Sequence, residues 1–143
     1  MDGRCRPLVI AVTPGQANDS PALPLLLDEL RVPRRGSGRP RTTPDALRAD
    51  KAYSSRAHRA RLRRRGIKTV IPEPADQVRH RHNRGSRGGR PVGYDREDYK
   101  GRNTIERAFN RLKNWRGLAT RYDKHALVYR GGLVLGAILI WLR

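Results

Sequence analysis

The sequence predicts an α/β fold, on three observations. Short β-branched apolar runs alternate with helical patterns, turn residues separate them at close intervals, and the 143 residues suffice for one core of ordinary size. From Pro7, the run Leu8-Val9-Ile10-Ala11-Val12 is continuously apolar and stops at Thr13-Pro14-Gly15, the pattern of a strand buried on both faces. Asn18-Asp19-Ser20-Pro21 then offers N-cap chemistry, and Leu23, Leu26, Leu27 and Leu30 recur at helical spacing. Residues 32–44, dense in Arg, Gly and Pro, read as a basic loop.

Ala46-Leu47-Arg48-Ala49-Asp50 reads as a short strand ending in an acid. A strongly basic helix follows from Ser55 to Arg65, with Gly66 as its stop, and Lys68-Thr69-Val70-Ile71-Pro72 is the next strand. Strand, helix, strand, helix, strand is the order of a sheet built with parallel crossovers. Between Asp76 and Pro91 the composition collapses to Arg, His, Gly, Ser and Asn, which predicts a second basic loop over 77–91. Ile105, Phe109 and Leu112 make one apolar stripe between Asn103 and Trp115. A last helix spans Leu127 to Leu142, with a break expected near Gly131-Gly132. Its apolar stretch, Gly131 to Leu142, is 12 residues long, whereas a bilayer span needs about 20.

Charge narrows the function. Lys and Arg total 32 against 13 Asp and Glu, a formal charge of +19 that calls for a polyanionic partner, nucleic acid first and an anionic membrane surface second. The single cysteine, Cys5, excludes an internal disulfide and fits a reducing, cytosolic compartment. No secretory signal is expected from the start Met1-Asp2-Gly3-Arg4, where no hydrophobic stretch follows a basic end. His80 and His82 have no carboxylate or Cys neighbours at ligand spacing, and His58 and His125 have no identifiable nucleophile partner.

Two acids stand where chemistry is expected. Asp50 closes a strand at the carboxyl edge of the sheet, where open α/β folds bind ligands, and Glu106 lies mid-helix beside the apolar stripe. Each also has a structural reading: Asp50 as a cap for the helix after Ser54, Glu106 as an ion-pair partner of Arg102 or Arg107.

Tyr99, Arg102, Glu106 and Lys113 follow one another as Tyr, two residues, Arg, three residues, Glu, six residues, Lys. This pattern resembles the Tyr-Arg-Glu-Lys signature of DDE transposases of bacterial insertion sequences. Ala49-Asp50-Lys51-Ala52-Tyr53-Ser54, the stretch Val70 to Asp76, the loop Gly85 to Pro91 and Ala119 to Lys124 are similar to the insertion-sequence-five group in the same order. The resemblance covers Asp2 to Leu142.

The resemblance implies a ribonuclease-H-like mixed sheet with flanking helices, incomplete at the N-terminus, and a protein that cuts and joins double-stranded DNA at insertion-sequence ends. It implies two divalent metals, Mg²⁺ or Mn²⁺, held by carboxylates, with Asp50 matching the second Asp and Glu106 the Glu. Lys113, seven residues after Glu106, would bind phosphate; Arg102 would orient the carboxylate or contact DNA, with Tyr99 nearby. The first Asp has no convincing counterpart, since Asp19 reads as an N-cap and Asp2 as part of a turn. The expected identity is the C-terminal part of a transposase catalytic domain over 1–143, from a second reading frame, a truncation or decay. Its expected partners are DNA, an upstream transposase segment and other copies of itself, with no membrane, in the cytoplasm and at the nucleoid. The rival classes are an inactive, regulatory DNA-binding fragment and a basic RNA-associated structural protein, which explains the charge but not the ordered motifs.

The charge alone generates a prediction. With about 6–10 phosphates contacted, the log–log salt slope of DNA binding is about −5 to −9, with little sequence preference. A fluorescence titration from 50 to 300 mM salt measures it, and a flat dependence contradicts it.

Overall fold

The computed structural model describes residues 1–142, which form two compact units, Met1–Thr42 with Gly101–Arg143, and Thr43–Lys100.

The second unit is built on one parallel pair. Strand β1 (Ala46–Arg48) aligns with β2 (Lys68–Val70) in the register Ala46 to Lys68, Leu47 to Thr69 and Arg48 to Val70. Parallel strands need a crossover, and helix α2 (Arg56–Arg64) supplies it. Ser55 caps α2 by accepting the His58 amide at 3.1 Å, and the basic residues Arg61, Arg63 and Arg64 fall in its last turn, where the helix dipole favours cations. Only one position of α2 is buried, Leu62, which with Val70 and Ile71 makes up the largest fully buried side chains. Gly66, at φ 67°, turns the chain into β2. Helix α3 (Ala75–Asn83) follows, then a 3₁₀ turn (Gly85–Gly88) and helix α4 (Arg96–Lys100).

The first unit is helical. Helix α1 (Ala22–Glu29) buries Leu23 and Leu27, and Leu30 closes the same stripe. Helices α5 (Asn103–Lys113), α6 (Arg116–Thr120) and α7 (Ala126–Trp141) pack on one another. Gly136 permits the close approach of α7, because a Cβ there would stand 3.1 Å from both Leu112 Cδ2 and Trp115 Cζ3. The N-terminal turn is tied by Asp2, whose carboxylate accepts the Arg4 and Arg6 amides at 2.9 and 3.0 Å and the Arg6 Nε at 2.7 Å.

Five expectations are corrected. Leu8 to Val12 is half-buried but forms no strand: β propensity becomes a strand only with a ladder neighbour, and among the described residues the run is paired with none. The span 77–91 is not a loop throughout: α3 occupies its first half, anchored by Gln77 and by an Arg81 ion pair to Glu73. The stripe of α5 runs through Ala108 and Leu112, leaving Phe109 52% exposed. Gly131-Gly132 does not interrupt α7, and α1 starts without a side-chain cap, Asp19 contributing its backbone carbonyl to the Ala22 amide. Residues 32–44 are a loop, pinned by one antiparallel bridge between Val32 and Arg41.

Leu62 is fully buried in a small core, so Leu62→Ala costs about 2–5 kcal/mol. Urea unfolding followed by circular dichroism measures the loss, and a cost under about 1 kcal/mol contradicts the assigned core.

Candidate functional site

The sequence-predicted residues fall in both units. Asp50, Tyr99 and their supports belong to Thr43–Lys100; Arg102, Glu106 and Lys113 belong to the other unit.

Asp50 stands at the carboxyl end of the parallel pair. The Ala49 amide donates to the Val70 carbonyl at 3.3 Å, so the pairing runs past β1 up to the acid. The Asp50 side chain accepts the Ala52 amide at 3.1 Å and caps the 3₁₀ turn Lys51–Tyr53 rather than the helix after Ser54. That turn delivers Ser54, the one buried polar or charged residue among the described residues, into a hydrogen-bonded network. Ser54 Oγ donates to Gln77 Oε1 at 3.1 Å, Gln77 Nε2 donates to the Ser54 carbonyl at 2.9 Å, and Arg59 Nη2 donates to Ser54 Oγ at 3.0 Å and to the Ile71 carbonyl at 2.8 Å. Burial lowers the Arg59 pKa, and the Glu73 charge offsets part of that shift. The network joins α2, α3 and the end of β2 around the turn that carries Asp50, giving the acid a rigid platform.

Tyr99 sits on α4, edge-on to Tyr94 with ring centroids 5.8 Å apart at 89°. Helix α4 is held to the sheet by Asp98, which accepts from Arg48 Nε at 2.7 Å and pairs with Lys68 Nζ at 2.9 Å. Asp95 lies 3.7 Å from the same ammonium. Arg48 and Lys68 face the same way by register, so one carboxylate neutralises cations from both strands. Sequence reasoning missed this cluster. Its signal was the pair of acids three residues apart, Asp95 and Asp98, in a chain with few acids to spare.

On α5, Arg102 Nη2 donates to Glu106 Oε1 at 2.6 Å, one turn apart. Of the two ion-pair partners weighed for Glu106, Arg102 is the one engaged. The Glu106 side chain is 55% exposed, so its place beside the apolar stripe leaves it facing solvent. Ala108 and Leu112 turn inward, so Arg102, Glu106 and Lys113 line the outward face of the helix with Phe109. A cation at each end and a carboxylate between them suit a phosphate diester and its counter-ion.

Asp50 and Glu106 carry hard oxygen donors, the chemistry Mg²⁺ and Mn²⁺ prefer. Among the described residues no group of three or more His, Cys, Asp or Glu is placed to hold a metal ion. The two carboxylates thus fit a divalent metal in kind, but not as a complete ligand set. His80 and His82 are exposed on the last turn of α3, and Cys5 is a buried free thiol.

Residues 1–141 match the transposase DDE domain family, and the chain belongs to that family. It is 32% identical over 139 residues to a Burkholderia cepacia protein assigned as a transposase for insertion sequence element IS402, a match covering 97% of this chain and 58% of the relative. The chain therefore spans well under two thirds of the relative's length. No solved structure matches it. Helices together with a two-stranded parallel sheet among the described residues are compatible with the α/β class, the sheet being smaller than the mixed sheet expected. No helix among the described residues is long and apolar enough to cross a membrane.

The α4 anchor titrates. Hydrogen bonds from Lys68 and then Arg48 hold Asp98 below the ordinary value of 3.8. The folded form therefore binds a proton less readily than the unfolded one, and this stability is present above about pH 3.8 and lost as the pH falls through the folded value. Asp98→Asn flattens the acid limb of urea midpoint against pH between 5 and 2; equal slopes for both proteins contradict the assignment.

Proposed function

We propose that this chain is part of the catalytic core of an insertion-sequence transposase, a ribonuclease-H-like fold in which Asp50 and Glu106 are two of the metal-binding carboxylates. The observation that carries the reading is the outward face of α5. The complete Tyr99, Arg102, Glu106, Lys113 signature ends there with its last three members on one accessible helix face, in a chain whose family match runs over 1–141.

Within this reading each residue has one task. Asp50, fixed by the turn it caps, and Glu106 hold Mg²⁺ or Mn²⁺, which when bound activates the attacking hydroxyl and stabilises the leaving oxygen in phosphodiester cleavage and joining. Arg102 orients the Glu106 carboxylate through its 2.6 Å bond. Lys113 places an ammonium about two turns from Glu106, where it neutralises a DNA phosphate. Tyr99, edge-on to Tyr94, packs beside the DNA backbone. The excess of +19 supplies sequence-independent grip on the duplex at insertion-sequence ends. The workplace is the cytoplasm and nucleoid, with self-association expected as for any protein joining two DNA ends.

A second reading, a catalytically inactive DNA-binding fragment with a regulatory role, is favoured by one observation. No three-ligand group occurs among the described residues, while the chain spans 58% of its relative. The two readings combine if activity requires the remaining polypeptide.

The isolated chain is expected to bind DNA but not to nick element-end DNA with Mg²⁺. Co-expression with the polypeptide encoded immediately upstream restores nicking, and Glu106→Gln abolishes it, lowering the rate by at least about 10³-fold. Metal-dependent nicking by the isolated chain that Glu106→Gln removes shows instead that an acid within it, Asp19 first, completes the site.

A further inference from the structure

Two basic segments of the chain carry the same short sequence. Between Glu29 and Asp45 there are five arginines and no acid, and between Asp76 and Asp95 there are again five arginines and no acid. The first segment contains Arg35-Gly36-Ser37-Gly38-Arg39-Pro40. The second contains Arg84-Gly85-Ser86-Arg87-Gly88-Gly89-Arg90-Pro91, the same order with Arg87-Gly88 inserted. Composition accounts for the charge of these segments but not for the repeated order.

The backbone agrees in the two copies. Gly38 and Gly89 have φ of 132° and 75°, where L side chains are rarely found, so each copy requires glycine immediately before its arginine. The proline that follows disfavours a helical conformation at Arg39 and Arg90, and itself has a fixed φ and no N–H. Each Gly-Arg-Pro is therefore a thin corner, pre-extended and poor in side chains apart from one guanidinium. Both corners stand on firm bases. In the first, Val32 and Arg41 exchange backbone hydrogen bonds at 2.9 and 2.8 Å and close the loop. In the second, the 3₁₀ turn lies so close to α3 that a Cβ at Gly88 would collide with the carbonyl of Arg81, whose side chain is tied to Glu73. Arg39, Pro40, Arg90 and Pro91 are all exposed.

We propose that Arg39 and Arg90 each enter the minor groove of double-stranded DNA and select A·T-rich segments. The proposal rests on the transposase reading in requiring that the chain bind duplex DNA, and it names the groove that is gripped. The minor groove is about 6 Å wide, too narrow for a helix but open to an extended strand without bulky neighbours. Its negative potential is strongest where A·T tracts narrow it, and arginine is a group drawn into it there. The amino group of guanine stands in the floor of the same groove, where it obstructs a guanidinium and sets a donor against a donor, so G·C pairs are disfavoured. A contact to phosphates alone needs neither the glycine nor the proline, since the surrounding arginines reach the DNA backbone without them. The outcome is a modest preference for groove shape, laid over the sequence-independent grip of the whole charge.

The test measures the affinity of the full chain, at about 150 mM salt, for equal-length duplexes of A·T pairs, G·C pairs, inosine·C pairs and RNA. Replacing guanine by inosine removes the minor-groove amino group and leaves the major-groove edge unchanged. The A·T duplex is expected to bind about fivefold more tightly than G·C, and inosine·C within about twofold of A·T. Duplex RNA, whose minor groove is wide and shallow, binds no more tightly than G·C. The double variant Arg39→Lys, Arg90→Lys keeps the charge and the salt slope but lowers the A·T preference below about twofold, because the compact, strongly hydrated ammonium loses more on leaving water. The control Arg34→Lys, Arg87→Lys retains the preference. All four positions are exposed, so both variants keep the circular dichroism of the parent. Equal affinity for A·T and G·C, inosine·C behaving as G·C, tighter binding of G·C or of duplex RNA, a preference that survives Arg39→Lys, Arg90→Lys, or one lost equally in the control each overturns the proposal. With the salt slope intact, each of these outcomes leaves the transposase reading standing, whereas absence of duplex binding overturns both.

Discussion

Scarcity of acid governs this structure. Thirteen carboxylates face 32 Lys and Arg side chains, and the folded chain places acids where cations converge. Asp2 binds Arg6 and closes the N-terminal turn, Asp98 joins Arg48 to Lys68, Glu73 holds Arg81 at the root of α3, and Glu106 takes Arg102. Isolated surface pairs contribute little stability. Here their larger effect is to let arginine-rich helices approach a small core without mutual repulsion. The remaining excess of +19 has no internal partner to meet it, and an external polyanion is the natural complement.

Those constraints determine which parts of the sequence speak plainly. Strands β1 and β2 were legible because apolar runs bounded by Pro and Gly have few alternatives, and the basic helix between them was legible from its Ser55 cap and Gly66 stop. Helix α3 was not. Its composition resembles a solvated loop, and what makes it helical is tertiary: Gln77 reaching the Ser54 carbonyl and Arg81 reaching Glu73. Leu8 to Val12 failed the other way, since local pattern supplies β propensity but not the neighbour that turns propensity into a strand. Phe109 shows a third limit. Its spacing from Ile105 fits the apolar stripe, but Ala108 and Leu112 occupy the inward arc and leave the ring outside.

For the site, residue types and order were readable, whereas their engagements were not. Nothing in the spacing distinguished Arg102 from Arg107 as partner of Glu106, and a single 2.6 Å bond decides it. The capping role of Asp50 was foreseen for the wrong turn, because the 3₁₀ segment Lys51–Tyr53 intervenes before the helix. These details matter for function. A carboxylate capping a turn and another resting on arginine are held in fixed orientations, which a hard metal's oxygen ligands require.

The central claim is that Asp50 and Glu106, 56 residues apart in sequence, serve one divalent-metal centre. Anomalous diffraction from Mn²⁺-loaded crystals of the chain in complex with its remaining polypeptide and element-end DNA tests it most directly. The account predicts manganese density with oxygens of both Asp50 and Glu106 at about 2.0–2.3 Å. Manganese bound without either carboxylate, or the two carboxyl groups on opposite faces of the sheet, would contradict it.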